Sequence, residues 1–147
     1  MTSTSTGPES RPVVEIAPVS ADRVFLERAL DLATDNVTQG GGPFGALIVQ
    51  DGRVIAEGVN RVTRDNDPTA HAEVQAIRAA SRERGDFSLH GATLYTSCEP
   101  CPMCLATFLW ARVERVVYAG DRRRVVADDR PGTPFNAWLG NAARTAY

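Results

Sequence analysis

Three cysteines lie within seven positions of this chain, and they constrain its fold more than any other feature. Cys98, Cys101 and Cys104 follow residues 92–97, which have the pattern of a buried strand, and lead into an apolar segment typical of a helix. An odd number of closely spaced cysteines is a poor disulfide framework but a good set of metal ligands in a reducing compartment. The sequence therefore predicts a metal site where a strand passes into a helix.

Composition narrows the classes of protein that remain. The chain has 147 residues, 43% of them hydrophobic and 23% charged, so it can bury one core. No apolar run approaches the roughly 20 residues that a bilayer requires. The N-terminus lacks the pattern of a signal peptide, so we expect a cytoplasmic protein. All 16 basic residues are arginine, which excludes a Schiff-base lysine and a Walker-type phosphate loop. A net charge of −2 makes nucleic acid an unlikely partner.

The order of the predicted elements indicates the fold. Residues 1–19 are predicted to be a tail with a short edge strand near Val13, and residues 20–147 to be one domain. Asp51-Gly52 is typical of the two-residue turn of a β-hairpin. Strands that alternate with helices predict an α/β fold with a mixed sheet and helices on its faces. In order, the predicted elements are a helix over 20–39, hairpin strands over 44–50 and 53–60, a helix over 68–84, a strand over 92–97, a helix over 103–111, a strand over 113–119 and a last helix over 135–146.

The starts of two predicted helices carry the residues that suit catalysis. His71 and Glu73 lie at one helix start, and Cys101 and Cys104 lie at the next, where their i and i+3 spacing places both sulfurs on one face. One imidazole and two thiolates leave the fourth position of a tetrahedral zinc ion for water, as in catalytic zinc sites. A carboxylate two residues from a metal ligand can carry a proton for the reaction. The pattern H-x-E and P-C-x-x-C is typical of zinc-dependent nucleobase deaminases.

Less specific interpretations of the same residues remain open. His71 and all three cysteines together would make a closed, structural zinc site. That arrangement would leave Glu73 without a role. In the three-ligand interpretation, Cys98 is a small buried residue at the end of a strand. His90 precedes a glycine and is typical of a solvated turn. A non-catalytic zinc module that serves as a binding protein is the alternative from a different functional class.

Three longer stretches resemble the cytidine deaminase-like superfamily of zinc hydrolases. They are residues 41–46, residues 67–73 and residues 94–104, and the chain is most similar to the small bacterial guanine deaminases. The resemblance implies a three-layer α/β/α sandwich with a mixed central sheet. It also implies one zinc ion on His71, Cys101 and Cys104, with Glu73 as the catalytic proton carrier.

The resemblance further implies a set of substrate contacts and a partner. Asn60 and the backbone of Ala72 would bind a free nucleobase, while Phe44 and Trp110 would flank its ring. Beyond residue 120 the similarity weakens, and either Asp128 or Asp129 would recognise guanine. The last segment is aromatic and too short to be stable alone, so it must pack either on its own domain or on a second subunit. In the family that the chain resembles this segment can cross to a partner, which implies a homodimer with Tyr147 near an active site. The resemblance therefore implies deamination of guanine to xanthine and ammonia. The alternatives are cytosine or another amino-heterocycle such as an aminotriazine or pterin, and, less favoured, adenosine in tRNA.

Overall fold

Helices and strands alternate along the chain in the computed structural model, which describes residues 13–15 and 20–121. The five strands are β1 (Val13–Glu15), β2 (Gly45–Gln50), β3 (Arg53–Val59), β4 (Thr93–Cys98) and β5 (Arg115–Gly120). The four helices are α1 (Ser20–Thr38), α2 (Val62–Asp65), α3 (Ala72–Arg84) and α4 (Pro102–Trp110). The predicted alternation is confirmed over the described part of the chain, with α2 as an addition.

The sheet is mixed, as predicted. Its strand order is β1-β5-β4-β2-β3. Strands β1, β5 and β4 are parallel to one another, whereas β2 is antiparallel to both of its neighbours, β3 and β4. The edge strand expected near Val13 is β1. The hairpin turn has positive φ angles at Asp51 (51°) and Gly52 (73°), which suits a type I′ turn between strands with a right-handed twist.

Alternate residues of each central strand face opposite layers of helices. In β2, Ala46 and Ile48 pack with α3 and α4, whereas Leu47 and Val49 pack with α1. Leu94 of β4 lies on the first face, and its neighbour Tyr95 lies on the second. A strand exposes successive side chains to opposite faces, so a sheet covered on both sides needs apolar residues at every position. This is the three-layer α/β/α sandwich that the resemblance implies.

Helix α3 begins at Ala72, four residues later than predicted. The prediction rests on Asp67-Pro68, which has the pattern of an N-cap followed by a proline at the first helical position. In the structure Asp67 instead accepts hydrogen bonds from the backbone N–H (2.8 Å) and the hydroxyl (2.7 Å) of Thr69. The carbonyl of Asp67 also accepts the N–H of Ala70 at 3.1 Å, which closes a tight turn. Aspartate competes for nearby backbone donors in this way. The helix therefore starts only after the turn, and His71 becomes its N-terminal cap residue.

Several predictions fall on parts of the chain that lie outside the described residues. These are the tail before Val13, the helix over 135–146, and the side chains of Asp128, Asp129 and Tyr147. The boundary between tail and domain also stays a prediction. Among the helices that are described, none combines the length and apolar character needed to cross a membrane.

Candidate metal centre

His71 and Cys101 occupy equivalent positions at the starts of two helices. His71 precedes α3 with φ −68° and ψ 155°, and Cys101 precedes α4 with φ −73° and ψ 168°. Both are extended cap residues, and neither side chain caps its own helix. Their carbonyls accept the first helical hydrogen bonds, from Gln75 and Leu105 respectively, both at 2.9 Å. The backbone thus fixes both residues while leaving the imidazole and the sulfur to make other contacts.

Three candidate ligand atoms converge between these helix starts. The Nδ1 atom of His71 lies 3.6 Å from Sγ of Cys101 and 3.5 Å from Sγ of Cys104, and all three atoms lie within 4.8 Å of one another. Ligands on one tetrahedral zinc ion, with Zn–S and Zn–N bonds of ordinary length, stand about 3.5–3.8 Å apart. The observed distances and the mixed nitrogen and sulfur donors therefore fit a zinc ion.

Cys98 lies apart from this cluster. It is buried at the end of β4, and the group of described residues that could hold a metal comprises His71, Cys101 and Cys104 without it. The three-ligand arrangement favours the open, catalytic type of zinc site over the closed, structural type.

Hydrogen bonding within the cluster shifts the pKa values of its members in opposite directions. The hydrogen bond from Cys104 lowers the pKa of Cys101 to about 4, with a further contribution from His71. The same contact with Cys101, together with burial, raises the pKa of the Cys104 thiol. Hydrogen bonding to Cys101 raises the pKa of His71. The geometry therefore favours a thiolate at Cys101, which is the form that binds a metal. Such a cluster attracts a cation and releases protons when the cation binds.

Glu73 lies against the metal ligands in the first turn of α3. It is 6% exposed, and burial raises the pKa of its carboxyl group. The Cys104 thiol donates to its Oε2 atom at 3.5 Å, and the Thr96 hydroxyl donates to its Oε1 atom at 3.2 Å. A carboxylate that is buried and held on both oxygens beside a metal site is well suited to carry a proton.

Asn60 and Phe44 lie next to each other at the open end of the hairpin. Asn60 follows β3 and Phe44 precedes β2, and the Asn60 N–H donates to the Phe44 carbonyl at 3.2 Å. Phe44 is half-buried against the core on the α3 and α4 side of the sheet. Ala72 is fully buried as the first residue of α3. The fold thus brings the ring of Phe44 to the layer that carries the metal ligands.

Trp110 lies at the other end of α4 from the metal ligands. It is the last residue of the helix and is 84% exposed. It lies nine positions after Cys101, which corresponds to about 13 Å along a helix axis. Within one chain, the structure does not bring Trp110 to the cluster.

Thr96 and Asn36 are polar residues that the sequence interpretation did not single out. Thr96 is 1% exposed in β4, and Asn36 is 2% exposed near the end of α1. A signal for each is present in the sequence. Thr96 is a hydroxyl residue in the middle of a buried strand. Asn36 continues, at helical spacing, the buried face of Leu26, Ala29 and Ala33. Buried polar groups of this kind need partners, which makes them informative.

Comparison with known proteins agrees with this geometry. The family model described as "Cytidine and deoxycytidylate deaminase zinc-binding region" matches residues 19–120. Guanine deaminase of Bacillus subtilis (strain 168) is 59% identical over 98 residues, which cover 66% of this chain and 63% of that protein. A tRNA-specific adenosine deaminase of Agrobacterium fabrum is 46% identical over 94 residues, which cover 64% of this chain and 62% of that protein. In both cases the matched region spans less than two thirds of the relative's length.

Among solved structures, the X-ray structure of guanine deaminase from Bacillus subtilis superimposes with a TM-score of 0.71 and 54% identity. The superposition covers 72% of this chain and 68% of the other. With the family model matching most of the chain, with this similarity of fold, and with three converging zinc ligands beside a buried glutamate, the chain belongs to the cytidine and deoxycytidylate deaminase zinc-binding family.

Proposed function

We propose that this protein is a zinc-dependent hydrolase that removes ammonia from a free aminated nucleobase, with guanine as the substrate and xanthine as the product. One observation carries the proposal. Glu73 is buried in contact with Cys104, inside a three-ligand set whose atomic distances fit zinc. A structural zinc site is closed by four protein ligands and does not need a carboxylate side chain beside them.

The chemistry divides between the metal and the protein. Zinc held by His71, Cys101 and Cys104 would supply Lewis-acid chemistry and would lower the pKa of water toward roughly 7. Glu73 accepts one proton from the attacking water and donates it to the ring nitrogen beside C2. It then accepts the second proton, from the hydroxyl group formed on C2, and donates it to the leaving amine. The C2–O bond forms and the C2–N bond breaks, so guanine and water give xanthine and ammonia. Burial raises the pKa of the Glu73 carboxyl group, which is the direction that favours proton donation.

Binding of the base is assigned to the residues around the open end of the hairpin. The Asn60 amide offers two donors, and its Oδ1 atom, which accepts the N–H of Val62 at 3.2 Å, has a second lone pair, so the group suits the edge of a purine. The exposed part of the Phe44 ring would stack on the base, where an aromatic contact is worth roughly 1–3 kcal/mol. The N–H of Ala72, at the start of α3, would supply a further polar contact. Asp129 and Tyr147 remain proposed contacts from the last part of the chain.

Guanine is favoured over the related substrates by similarity and by charge. The guanine deaminase relative is 59% identical, against 46% for the tRNA-specific adenosine deaminase. The chain has a net charge of −2 and lacks lysine, whereas binding to tRNA depends on contacts from cations to phosphate. Cytosine and other amino-heterocycles share the amidine group that is hydrolysed, so they are the competing small substrates.

We propose that the protein acts as a homodimer. Trp110 (84% exposed) and Leu109 (55% exposed) leave an apolar end of α4 uncovered, which a second copy would bury. Trp110 would then flank the base in the partner's site rather than in its own. An apolar groove of about 520 Å³ lies along α1 and ends at Ser97 and Cys98. Cys98 pairs with Gly120, so the end of β5 lies beside this groove.

The reducing cytoplasm is the proposed location. Cys101 and Cys104 would be metal ligands that require the thiolate form, which a reducing compartment preserves.

A panel of substrates tests the proposed function. The zinc-loaded protein is mixed separately with guanine, cytosine, adenine, an aminotriazine, a pterin, the corresponding nucleosides and a tRNA anticodon stem-loop, and ammonia release is measured. We expect release from guanine with the highest kcat/KM. Faster release from another base would correct the substrate while keeping the reaction. No release from any of them, with one zinc bound per chain, would favour the non-catalytic zinc module.

A further inference from the structure

Asn36 connects three segments of the chain through one buried amide. Its Nδ2 atom donates to the carbonyl of Gly42 at 2.8 Å and to the carbonyl of Asn60 at 2.9 Å. Its Oδ1 atom accepts a hydrogen bond from the guanidinium of Arg64 in α2. The side chain is 2% exposed, so no water competes for these contacts.

The identity of the residue matters because the contacts have opposite polarity. Two carbonyl acceptors face one side of the amide, and a cationic donor faces the other. Only a side chain with two donors and an acceptor at these places satisfies all three partners. The segment around Gly41 passes so close that an added Cβ there would lie 2.4 Å from Nδ2 of Asn36. The Asn36 amide therefore matches its surroundings both in its hydrogen-bonding groups and in its size.

Both carbonyls that Asn36 binds belong to the segments that carry the proposed base contacts. The Gly42 carbonyl also accepts the N–H of Phe44 at 2.8 Å. The Asn60 N–H donates to the Phe44 carbonyl at 3.2 Å, and a Cβ on Gly42 would lie 3.1 Å from Cγ of Asn60. Gly42, Phe44 and Asn60 thus form one hydrogen-bonded corner, and the amide of Asn36 fastens it to α1.

We propose that Asn36 is a positioning residue for the base-binding corner: it holds the backbone of Gly42 and Asn60 so that Phe44 and the Asn60 amide face the substrate together. This role rests on the proposed function in its link to substrate binding. Asn36 does not touch the metal ligands in any described contact, so its effect falls on binding of the base rather than on zinc or on proton transfer.

A purely structural role at the end of α1 makes a different prediction. The backbone carbonyl of Asn36 accepts the N–H groups of Gln39 (3.2 Å) and Gly41 (2.9 Å), and these bonds end the helix whatever the side chain is. Asn36→Asp keeps the volume, the helix end and the contact to Arg64 while it removes both Nδ2 donors. It therefore isolates the two bonds to the corner.

The experiment compares Asn36→Asp with Asp22→Asn, a matched control at the other end of the same helix. Asp22 is 4% exposed and accepts bonds from Tyr95 (2.6 Å) and Arg115 (2.7 and 2.8 Å), so its variant loses stability away from the corner. Two readouts are taken: hydrogen exchange over residues 42–46 and 58–62, and KM and kcat for guanine. Zinc content is measured in each variant.

We expect Asn36→Asp to speed exchange at the Phe44 and Asn60 amides and to raise KM about tenfold, with kcat changed less than about threefold, as two lost hydrogen bonds permit. Asp22→Asn should change neither readout at the corner. The proposal is overturned if exchange in both segments is unchanged in Asn36→Asp, or if Asp22→Asn shifts exchange and KM equally.

Two further arms keep the outcome decisive. If Asn36→Asp does not fold, Arg64→Met releases the other side of the amide and should give the same pattern at smaller size; unchanged exchange there would overturn the proposal. If the wild-type protein does not convert guanine, the proposed function fails, whereas hydrogen exchange still decides whether Asn36 holds the corner.

Discussion

The metal cluster and the base-binding corner are assembled in different ways. The cluster and the glutamate beside it take two side chains from the start of α3 and two from the start of α4, at spacings of two and three residues within each pair. The corner joins the end of α1, the segment at Gly42 and Phe44, and Asn60 through hydrogen bonds between residues 6 and 24 positions apart. The difference indicates that short motifs specify each pair of side chains at the cluster, whereas the proposed base-binding corner is built from single residues on separate segments.

The two regions also differ in the free energy that stabilises each of them. A bound metal stabilises the folded chain in proportion to its affinity and to the free metal concentration. Each neutral hydrogen bond of the corner contributes only about 0.5–1.5 kcal/mol. Changes at the cluster should therefore abolish the reaction. Changes at the corner should instead alter the affinity and the specificity for the base. Four substitutions test this contrast, in order of decreasing effect.

Loss of a metal ligand should have the largest effect. Cys104→Ser removes a buried sulfur from the cluster, so we expect a chain without stoichiometric zinc and without measurable turnover. Cys98→Ser is the matched control, because Cys98 is equally a buried cysteine but lies outside the cluster; it should retain about one zinc per chain and most activity. Metal analysis of the two purified variants decides. Zinc loss in Cys98→Ser would favour the closed four-ligand site.

Glu73→Gln should separate the chemistry from the metal. The amide keeps the size of the side chain but cannot carry the proton, so turnover should fall by roughly 10²–10⁴-fold while zinc remains bound. The measurements are kcat for guanine and zinc content on the same preparation. Turnover close to that of the wild type would falsify the proposed mechanism and leave the carboxylate with a structural role only.

Gly58→Ala tests whether the cluster depends on a distant strand as well. A Cβ at this position of β3 would lie 2.3 Å from the Ala72 carbonyl and 2.4 Å from the Ala76 nitrogen, so it would push the start of α3 away from the sheet. Overpacking of this kind costs about 1–3 kcal/mol. We expect a lower free energy of unfolding in denaturant titrations and weaker zinc retention in competition with a chelator. Gly52→Ala is a control, since nothing lies within 4 Å of its added Cβ and its φ of 73° confines the effect to the turn.

Thr96→Val should have the smallest effect. The variant is close to isosteric and removes the one hydroxyl proton that Oε1 of Glu73 and the carbonyl of Cys98 share, each at 3.2 Å. We therefore expect kcat to fall about two- to tenfold, which corresponds to about one hydrogen bond. KM for guanine should change little, because Thr96 contacts neither Asn60 nor Phe44 in any described hydrogen bond. Thr96→Ser keeps the hydroxyl and should restore kcat. A change confined to KM would place Thr96 with the base-binding corner instead.

Much of the fold was predictable because it rests on short-range signals. The Asp51-Gly52 turn, the alternation of strands and helices, and the mixed sheet follow from turn chemistry and from hydrophobic periodicity. The start of α3 was predicted four residues too early, because Asp67-Pro68 has the pattern of a helix start and the competing turn at Thr69 is visible only in its hydrogen bonds. Trp110 was expected to flank the base, but it lies at the exposed end of α4. Its exposure depends on how the helices pack, which the residue type does not indicate.

The sequence by itself determined which side chains form the metal centre, although the packing of α3 against α4 brings His71 to cysteines 30 and 33 positions away. The spacings His71-x-Glu73 and Cys101-x-x-Cys104 fix which side chains share a helix start, because the geometry of a helix turn is the same wherever the helix lies. Only the tertiary structure decided that Thr96 faces Glu73 and that Asn36 joins Gly42 to Asn60. A buried polar group must find its partner wherever the chain brings one, and that partner depends on how the whole sheet and its helices pack.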